Sequence, residues 1–469
     1  MELSGATIAA MLASIALIMG LGLWLSRPKN ITSEGFSLNG RKTSATMITG
    51  SLLGVCIGGG STIGTSQMAY GIGISAVWFT LGICAGLIFM AFFFAKRYRN
   101  RGIETLSELL VRTFGKKSGP VSGIIASAGI FFSCAASALP SVFLLSAVLD
   151  LPIAAAGAAM CAVTIIYVIF GGMRGTSVLG WIKSAVLLPM FCYIAWLSFK
   201  SMSSHADFAA ALGDGPWFDI WARGIKVTAE NLASMALGII CTQTYVQVVC
   251  SATDAKTAAK GCICGALICL PTGIPCVMAA LAMRAENPNL DPLCALPAFI
   301  TEHMPPILAG ITLGALLITL ISSVAGLVFG MATTFSRDVI GAAVNFAADR
   351  NSLLANRLSI MFISAAVIAF VLSHPDAKIL EWNFWAMTLR GTISVPVCLA
   401  LFAPKFMPKN WAIPCMISSA AAASAAYILD AKTIPPLFIG LGAGLALAAI
   451  GHFISDRGES SENARGAKR

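Results

Sequence analysis

The sequence predicts an all-α protein that crosses a membrane about thirteen times. Its 469 residues are 57% hydrophobic and only 11% charged, whereas a soluble domain carries about 25% charged residues. About thirteen apolar stretches are long enough to span a bilayer, which takes about 20 residues per helix. The second stretch carries a glycine cluster, Gly54 to Thr62, at membrane depth. Such a cluster indicates either close helix packing or a helix that is interrupted.

The predicted spans follow one another with short loops between them. We place them near residues 6–26, 45–70, 74–95, 120–148, 152–170, 179–199, 226–250, 262–284, 306–335, 355–373, 381–403, 411–429 and 435–454. We divide the chain into an extra N-terminal helix with its loop (1–44), a first half (45–200), a second half (225–404), two C-terminal helices (405–455) and a tail (456–469).

Basic residues are distributed unevenly between the two sides of the membrane. With the C-terminus inside, about three quarters of the 31 Lys and Arg residues lie on cytoplasmic segments, as the positive-inside rule requires. We therefore expect an N-terminus outside and a C-terminus in the cytoplasm, in a plasma or inner cell membrane. The net charge of +10 follows from this bias and does not indicate nucleic acid as a partner.

The side-chain chemistry argues against an enzyme or a resident cofactor. Only four His occur, and the fourteen Cys lie singly in apolar stretches without metal-ligand spacing. We expect no catalytic residue, no resident metal centre and no obligate protein partner, and the first partner predicted is the lipid bilayer.

Several segments, in chain order, resemble motifs of the sodium:solute symporter family. These segments are FSLNGR (36–41), IGTSQMAYGIG (63–73), TLSELLVRTFG (105–115), QTYVQ (243–247) with ATDAK (252–256), and LISS (320–323) with SRDV (336–339). The resemblance implies two inverted repeats of five helices, spans 2–6 and 7–11, each beginning with a helix broken near the midplane. The glycine cluster and the segment from Gly238 to Gln243 lie at the two expected positions.

The resemblance also implies a single Na⁺ site. Thr319, Ser322 and Ser323 are spaced i, i+3 and i+4, so their side chains share one helix face. Together with the carbonyls of Gly54 and Ile57, they match the family's sodium ligands. From the residues alone, these hydroxyls could instead bond back to carbonyls of their own helix.

Lys183 lies inside the sixth predicted span, where a lysine at the midplane costs about 2.5–3.5 kcal/mol. One interpretation is that its amine reaches the cytoplasmic interface. The other is a tethered cation that serves as a coupling group, which would make the carrier proton-coupled.

The solute site is expected around the first helix break. Positions that face sugar in galactose-type members carry no sugar-binding groups here, which argues against a sugar. The candidate lining residues are Cys56, Gly58, Ser61, Thr62, Trp78, Thr80, Ser133, Met235 and Gln243. Arg390, deep in the eleventh span, could bind a carboxylate or sulfonate through its planar fork. It could instead pair with a carbonyl, a helix end or Glu381.

We therefore predict a secondary active transporter that carries a small organic solute, a carboxylate-bearing anion or zwitterion, with Na⁺ by alternating access. Two alternatives remain open at this point. The first is a proton-coupled carrier of the same fold that uses Lys183. The second is a membrane sensor that binds solute without moving it, although no soluble signalling domain follows Ser455.

Overall fold

The computed structural model describes residues 3–26, 33–205, 207–341, 349–431 and 433–466. Every regular element in these ranges is a helix. In chain order they are α1 (Gly5–Ser26), α2 (Ser33–Leu38), α3 (Ala45–Cys56), α4 (Thr65–Ile72), α5 (Trp78–Phe89), α6 (Ala95–Arg101), α7 (Leu106–Phe114), α8 (Ser118–Leu149), α9 (Ile153–Ser204), α10 (Phe208–Leu212), α11 (Ile225–Ile240), α12 (Gln243–Cys250), α13 (Ala255–Cys269), α14 (Gly273–Glu286), α15 (Ala295–His303), α16 (Pro306–Thr334), α17 (Asp349–Ser373), α18 (Ile379–Gly391), α19 (Ser394–Phe402), α20 (Ala412–Ile428) and α21 (Pro436–Gly466).

Within the described ranges, nine helices are long and apolar enough to cross a membrane, and eleven if each of two bent pairs counts as one span. Two further apolar helices, Ala45–Cys56 and Ile153–Ile169, are shorter. The number thirteen therefore stays a prediction. Of the predicted tail, α21 covers residues up to Gly466, and 467–469 lie outside the described residues.

The glycine cluster interrupts the first helix of the first half. α3 ends at Cys56, and Ile57 has an extended backbone with φ −85° and ψ 95°. A wide helical turn at Gly60–Gly64 then leads into α4. The break frees the carbonyl groups of the last turn of α3 and of Ile57 from helical partners, and such groups inside a membrane must find other donors.

The first helix of the second half is interrupted at the predicted position. α11 ends at Ile240 and α12 begins at Gln243, and the two are bent by 48°. The bend leaves the Thr242 hydroxyl at the break, where it donates to the carbonyl oxygen of Gly238 at 2.6 Å. Both predicted interruptions are therefore confirmed.

Two glycines bring α3 and α9 into backbone contact. A Cβ added at Gly180 on α9 would lie 1.8 Å from the carbonyl oxygen of Gly50 on α3. Earlier in α9, Gly172 adopts φ 52° and ψ −154° and kinks the helix, a conformation that residues with a Cβ rarely adopt. Because of this close approach, the part of α9 after the kink is directed toward the first break.

The two broken helices are joined beyond their membrane-embedded breaks. Thr43 lies just before α3, and its N–H donates to the carbonyl oxygen of Ser251 at 3.1 Å. The N–H of Thr253, just beyond α12, donates to the carbonyl oxygen of Thr43 at 3.2 Å. This backbone bridge links the ends that the predicted topology places at the cytoplasm.

Candidate solute and cation site

A cage of oxygen atoms surrounds the amine of Lys183 at the first break. Lys183 is 0% exposed, and its Nζ donates to the carbonyl oxygens of Gly54 at 2.8 Å and Ile57 at 2.7 Å. It also donates to Ser322 Oγ at 2.6 Å, and the carbonyl oxygen of Thr319 lies 3.5 Å away. The amine therefore does not reach the membrane interface, and the interfacial interpretation of Lys183 is wrong.

Four of the five predicted sodium-binding residues contribute oxygens to this cage. Thr319 contributes its carbonyl oxygen. Its hydroxyl is buried and has no hydrogen-bond partner. Ser323 lies outside the cage, because its Oγ donates to the carbonyl oxygen of Val55 at 2.9 Å. The face of α16 that carries Thr319, Ser322 and Ser323 lies against the first break. The amine of Lys183 occupies the position where the sequence pattern predicts Na⁺.

The oxygens of the cage suit a hard cation, but the amine leaves no room for one. An ammonium and a sodium ion about 4 Å apart repel each other by about 4 kcal/mol at an effective dielectric constant of 20. No carboxylate of the described residues forms an ion pair with Lys183 that would offset this repulsion. The cage, with Lys183 in it, therefore does not fit a sodium ion.

A small cavity lies beside the cage, at the centre of the helix bundle. Its volume is about 30 Å³, room for about two water molecules. Of the predicted lining residues, it is lined by Cys56, Gly58, Ser61 and Ser133. Ser61 Oγ closes the break by donating to the carbonyl oxygen of Cys56 at 2.9 Å and accepting from the Gly58 N–H at 2.9 Å.

Five other predicted lining residues have different neighbours. Trp78 donates from Nε1 to the carbonyl oxygen of Ile220 at 2.7 Å, and Thr62 Oγ1 donates to the carbonyl oxygen of Gly58 at 2.8 Å. None of the following lines the central cavity: Thr62, Trp78, Thr80, Met235 and Gln243.

The last three of these residues pack between helices. Thr80 and Met235 fit against glycines, Gly273 and Gly82 respectively. Gln243 Oε1 accepts from the N–H of Leu106 at 2.9 Å, so it holds the start of α7. These side chains support the walls around the cavity without facing it.

Four polar or sulfur-containing residues that line the cavity were missing from the predicted set. They are Ser137, Tyr245, Asn383 and Met387. Asn383, Met387 and Arg390 are spaced i, i+4 and i+7 and therefore share one face of α18. That periodicity was visible in the sequence and could have identified the whole face from Arg390.

Arg390 does not line the cavity itself, but it contacts the hydroxyl of Ser133, which does. It is 0% exposed, and its guanidinium donates to Ser133 Oγ at 2.6 Å and to Thr242 Oγ1 at 2.9 Å. Its Nε donates to the carbonyl oxygen of Ala386 at 2.9 Å. Glu381 is not its partner, because that carboxylate is half-exposed and lies 4.0 Å from Lys378.

The centre of the bundle therefore holds two buried cations. Neither Lys183 nor Arg390 forms an ion pair with a carboxylate among the described residues. A buried charge without a counter-charge is costly, and the neutral oxygens around each cation compensate only part of this cost. An anion in the cavity would supply the missing charge.

A larger cavity on the predicted outer side has a different charge pattern. It encloses about 630 Å³ and is lined by side chains of both signs, including Arg223, Lys226, Glu230, Glu381 and Asp430. Burial lowers the pKa of Arg223, and the nearby carboxylates of Glu381 and Glu230 act in the opposite direction. Side chains of both signs thus line this outer cavity, whereas the charged groups described at the central site, Lys183 and Arg390, are both basic.

The sequence profile of the "Sodium:solute symporter family" matches residues 36–418. The chain belongs to this family. Among its curated relatives, the high-affinity choline transporter 1 of Torpedo marmorata is 24% identical over 403 residues, which cover 78% of this chain and 67% of the relative. The sodium/glucose cotransporter 1 of Sus scrofa is 24% identical over 474 residues, which cover 89% and 72%.

Solved structures show the fold of this family member. The outward-open, substrate-bound structure of a Na⁺-coupled sialic acid symporter superposes with a TM-score of 0.78 at 16% identity, covering 96% of this chain and 98% of that one. A nucleobase-cation-symport-1 family transporter in a closed conformation gives a TM-score of 0.58 at 13% identity, covering 92% and 94%. The predicted fold class, an all-α polytopic membrane protein with an inverted-repeat core, is confirmed.

The family and its relatives are transporters and not enzymes. Membership supports secondary active symport as the activity and a multi-pass membrane location. It also supports Na⁺ as the coupling ion of the family at large. The bound solute, the orientation of the termini and the residues of the site remain predictions for this chain.

Proposed function

We propose that this symporter carries a small organic anion, a carboxylate or a sulfonate, by alternating access. The observation that carries the proposal is the guanidinium of Arg390, which is fully buried beside the central cavity and has no acidic partner among the described residues. An Arg fork is suited to planar anions because its N–H groups match two carboxylate oxygens.

The contact between Arg390 and Ser133 would link the positive charge of the guanidinium to a solute in the cavity. Ser133 Oγ accepts from the guanidinium at 2.6 Å, so its own O–H remains available to donate to a solute in the cavity that it lines. A carboxylate could accept from this hydroxyl, or it could displace the hydroxyl and bind the guanidinium directly. Either arrangement places the negative charge close to Arg390.

The relatives' solutes fit this site poorly. Choline is a cation, and both Lys183 and Arg390 would repel it. Glucose is neutral and polyhydroxylated, and a sugar needs many paired hydrogen bonds that the few hydroxyls around the cavity do not offer. A zwitterion would bring an ammonium group that finds no carboxylate here. The small volume of the cavity further favours a solute of few atoms.

Family membership argues against the non-transporting sensor. Na⁺ coupling remains the expectation that the family carries, and an N-terminus outside with a cytoplasmic C-terminus remains the predicted orientation. Uptake would then run from the outer cavity beside Arg223 to the central cavity and onward to the cytoplasm.

Binding to purified protein tests the proposed solute class. We expect short carboxylates, dicarboxylates or sulfonates to raise the melting temperature in detergent, while their uncharged amide analogues do not. The variant R390M should weaken binding of the stabilising anion by about 30-fold, about 2 kcal/mol, because it removes one partner of a buried charge pair.

The matched control is R97K, since Arg97 lies at the surface and donates to a carbonyl of its own helix. It should bind the anion as the wild type does. Stabilisation by choline or by glucose, with no response to any anion, would contradict the proposal. An R390M variant that folds and keeps full affinity would return Arg390 to a structural role.

A further inference from the structure

The cage around Lys183 is built like a cation site. Its ligands are two carbonyl oxygens released by the broken helix, one carbonyl oxygen of α16 and one serine hydroxyl. Broken membrane helices use such carbonyls to hold ions. No carboxylate is present, so the cage suits a single positive charge and no more.

The amine uses all of its donors in this cage. A lysine ammonium has three N–H groups, and Lys183 makes three bonds of 2.8 Å or less, to Gly54, Ile57 and Ser322. Each N–H group of the ammonium therefore has an acceptor in the cage. Its neighbours Cys56 and Cys269 carry thiols, which are poor ligands for Na⁺.

We propose that the ammonium of Lys183 replaces Na⁺ at this cage, so that sodium does not bind there in this chain. The inference rests on the proposed function only in assuming that the cage belongs to the transport site. This proposal departs from the sodium coupling of the family, and the departure depends on Lys183 alone. Removal of the Lys183 side chain would leave the cage oxygens free to bind an ion.

The tethered cation joins three helices. Lys183 extends from α9, Gly54 and Ile57 belong to the broken helix, and Ser322 belongs to α16. In a sodium-binding relative an ion would have to arrive before these helices could be held together. In this chain the link forms during folding and needs no ion from the solution.

Sodium titration of the purified protein tests the inference without any solute. Melting temperatures are measured in NaCl and in choline chloride at fixed ionic strength, together with ²²Na⁺ binding. For the wild type we expect the same melting temperature in both salts, within about 1 °C, because a ligand that does not bind the folded state does not shift the midpoint. Saturable, sodium-specific stabilisation of the wild type that is lost in S322A would overturn the inference.

The variant K183A provides the complementary result. Its vacated cage should gain sodium-specific stabilisation and ²²Na⁺ binding, both saturating with concentration. The matched control K200A removes a lysine from the outer end of the same helix, where Lys200 lies over the ring of Trp196. It should remain insensitive to sodium. A K183A protein that folds but does not respond to sodium would also count against the inference.

The sodium results can be interpreted independently of the test of the proposed solute. The anion panel is run in N-methyl-D-glucamine chloride, where neither sodium nor choline is present. If no anion stabilises the protein but the sodium results are as expected, the solute assignment fails and the tethered cation stands. If anions bind and the wild type also shows sodium-specific stabilisation that is lost in S322A, the solute assignment stands and the tethered cation fails. Proton coupling through Lys183 stays a prediction from the sequence.

Discussion

The two breaks of the core are held by two different cations in matching positions. Lys183 lies on the last helix of the first predicted repeat, and Arg390 lies on the last helix of the second. Each reaches the break of its own repeat and a serine of the opposite repeat, Ser322 for the lysine and Ser133 for the arginine. The inverted repeat has thus placed a buried positive charge at both breaks.

The difference between the two cations lies in their unused donors. Lys183 uses its three N–H groups on the cage. Arg390 has five N–H groups, of which three donate to acceptors in the described structure. The first break is therefore closed by a saturated cation, and the second is flanked by one with hydrogen-bonding capacity left. We therefore propose a structural role for Lys183 and a solute-binding role for Arg390.

The largest expected effect concerns the helix contact that positions Lys183. The variant G180A places a Cβ 1.8 Å from the carbonyl oxygen of Gly50, and neither backbone can yield locally. We expect a loss of at least about 3 kcal/mol of stability, or no folded protein. Thermal unfolding in detergent measures it.

The corresponding position near the second cation is Gly129. There a Cβ would lie 2.5 Å from Cγ of Arg390 and 2.8 Å from the carbonyl oxygen of Ala386, so G129A should lose anion affinity as well as stability. G71A is the control, because nothing lies within 4 Å of its Cβ. If G180A were as stable as G71A, the close contact between α3 and α9 would not be what positions Lys183.

A pair of serine variants should separate the two roles. S322A removes an acceptor of the saturated ammonium and should lower stability by about 2 kcal/mol, because it leaves a buried charged donor unsatisfied. Its anion affinity should change little. S133A should show the opposite pattern, with a loss of about tenfold in anion affinity, about 1.4 kcal/mol, and a smaller change in melting temperature.

Melting curves without solute and anion titrations measure both quantities on the same samples. Equal effects of the two substitutions on stability and affinity would show that the breaks share one role. The distinction between a structural and a solute-binding cation would then be wrong.

The smallest effect is expected for S323A. This hydroxyl donates to the carbonyl oxygen of Val55 and not to the cage, so its removal should cost about 1 kcal/mol, as for one ordinary hydrogen bond. The variant should therefore melt above S322A. A larger loss in S323A than in S322A would mean that the neighbouring serine, and not Ser322, supports the first break.

Sequence reasoning predicted the parts of the site that depend on local pattern. The glycine cluster and the i, i+3, i+4 spacing of Thr319, Ser322 and Ser323 each follow from a few adjacent residues, and the structure brings the two segments together. The position of Lys183 could not be decided in the same way. Its acceptors lie more than a hundred residues away in the chain, and only the packing of α9 on α3 shows that its amine points inward.

The predicted solute-lining residues were less reliable for a related reason. Thr80 and Met235 are expected at the solute because they correspond to family positions, and Trp78 is expected to line the same pocket. In this chain Trp78 bonds to the backbone at Ile220, and the other two fill spaces against glycines. Which glycine of a facing helix a side chain packs against is a tertiary contact, and a single sequence does not show it.

The backbone bridge between Thr43 and the segment after α12 couples the two broken helices mechanically. Both of its hydrogen bonds join main-chain groups, so they depend on no side chain except through proline, which lacks the N–H. If one broken helix tilts, the hydrogen-bonded end of the other must move with it. Side-chain substitutions can therefore alter the cage and the cavity while leaving this main-chain linkage in place.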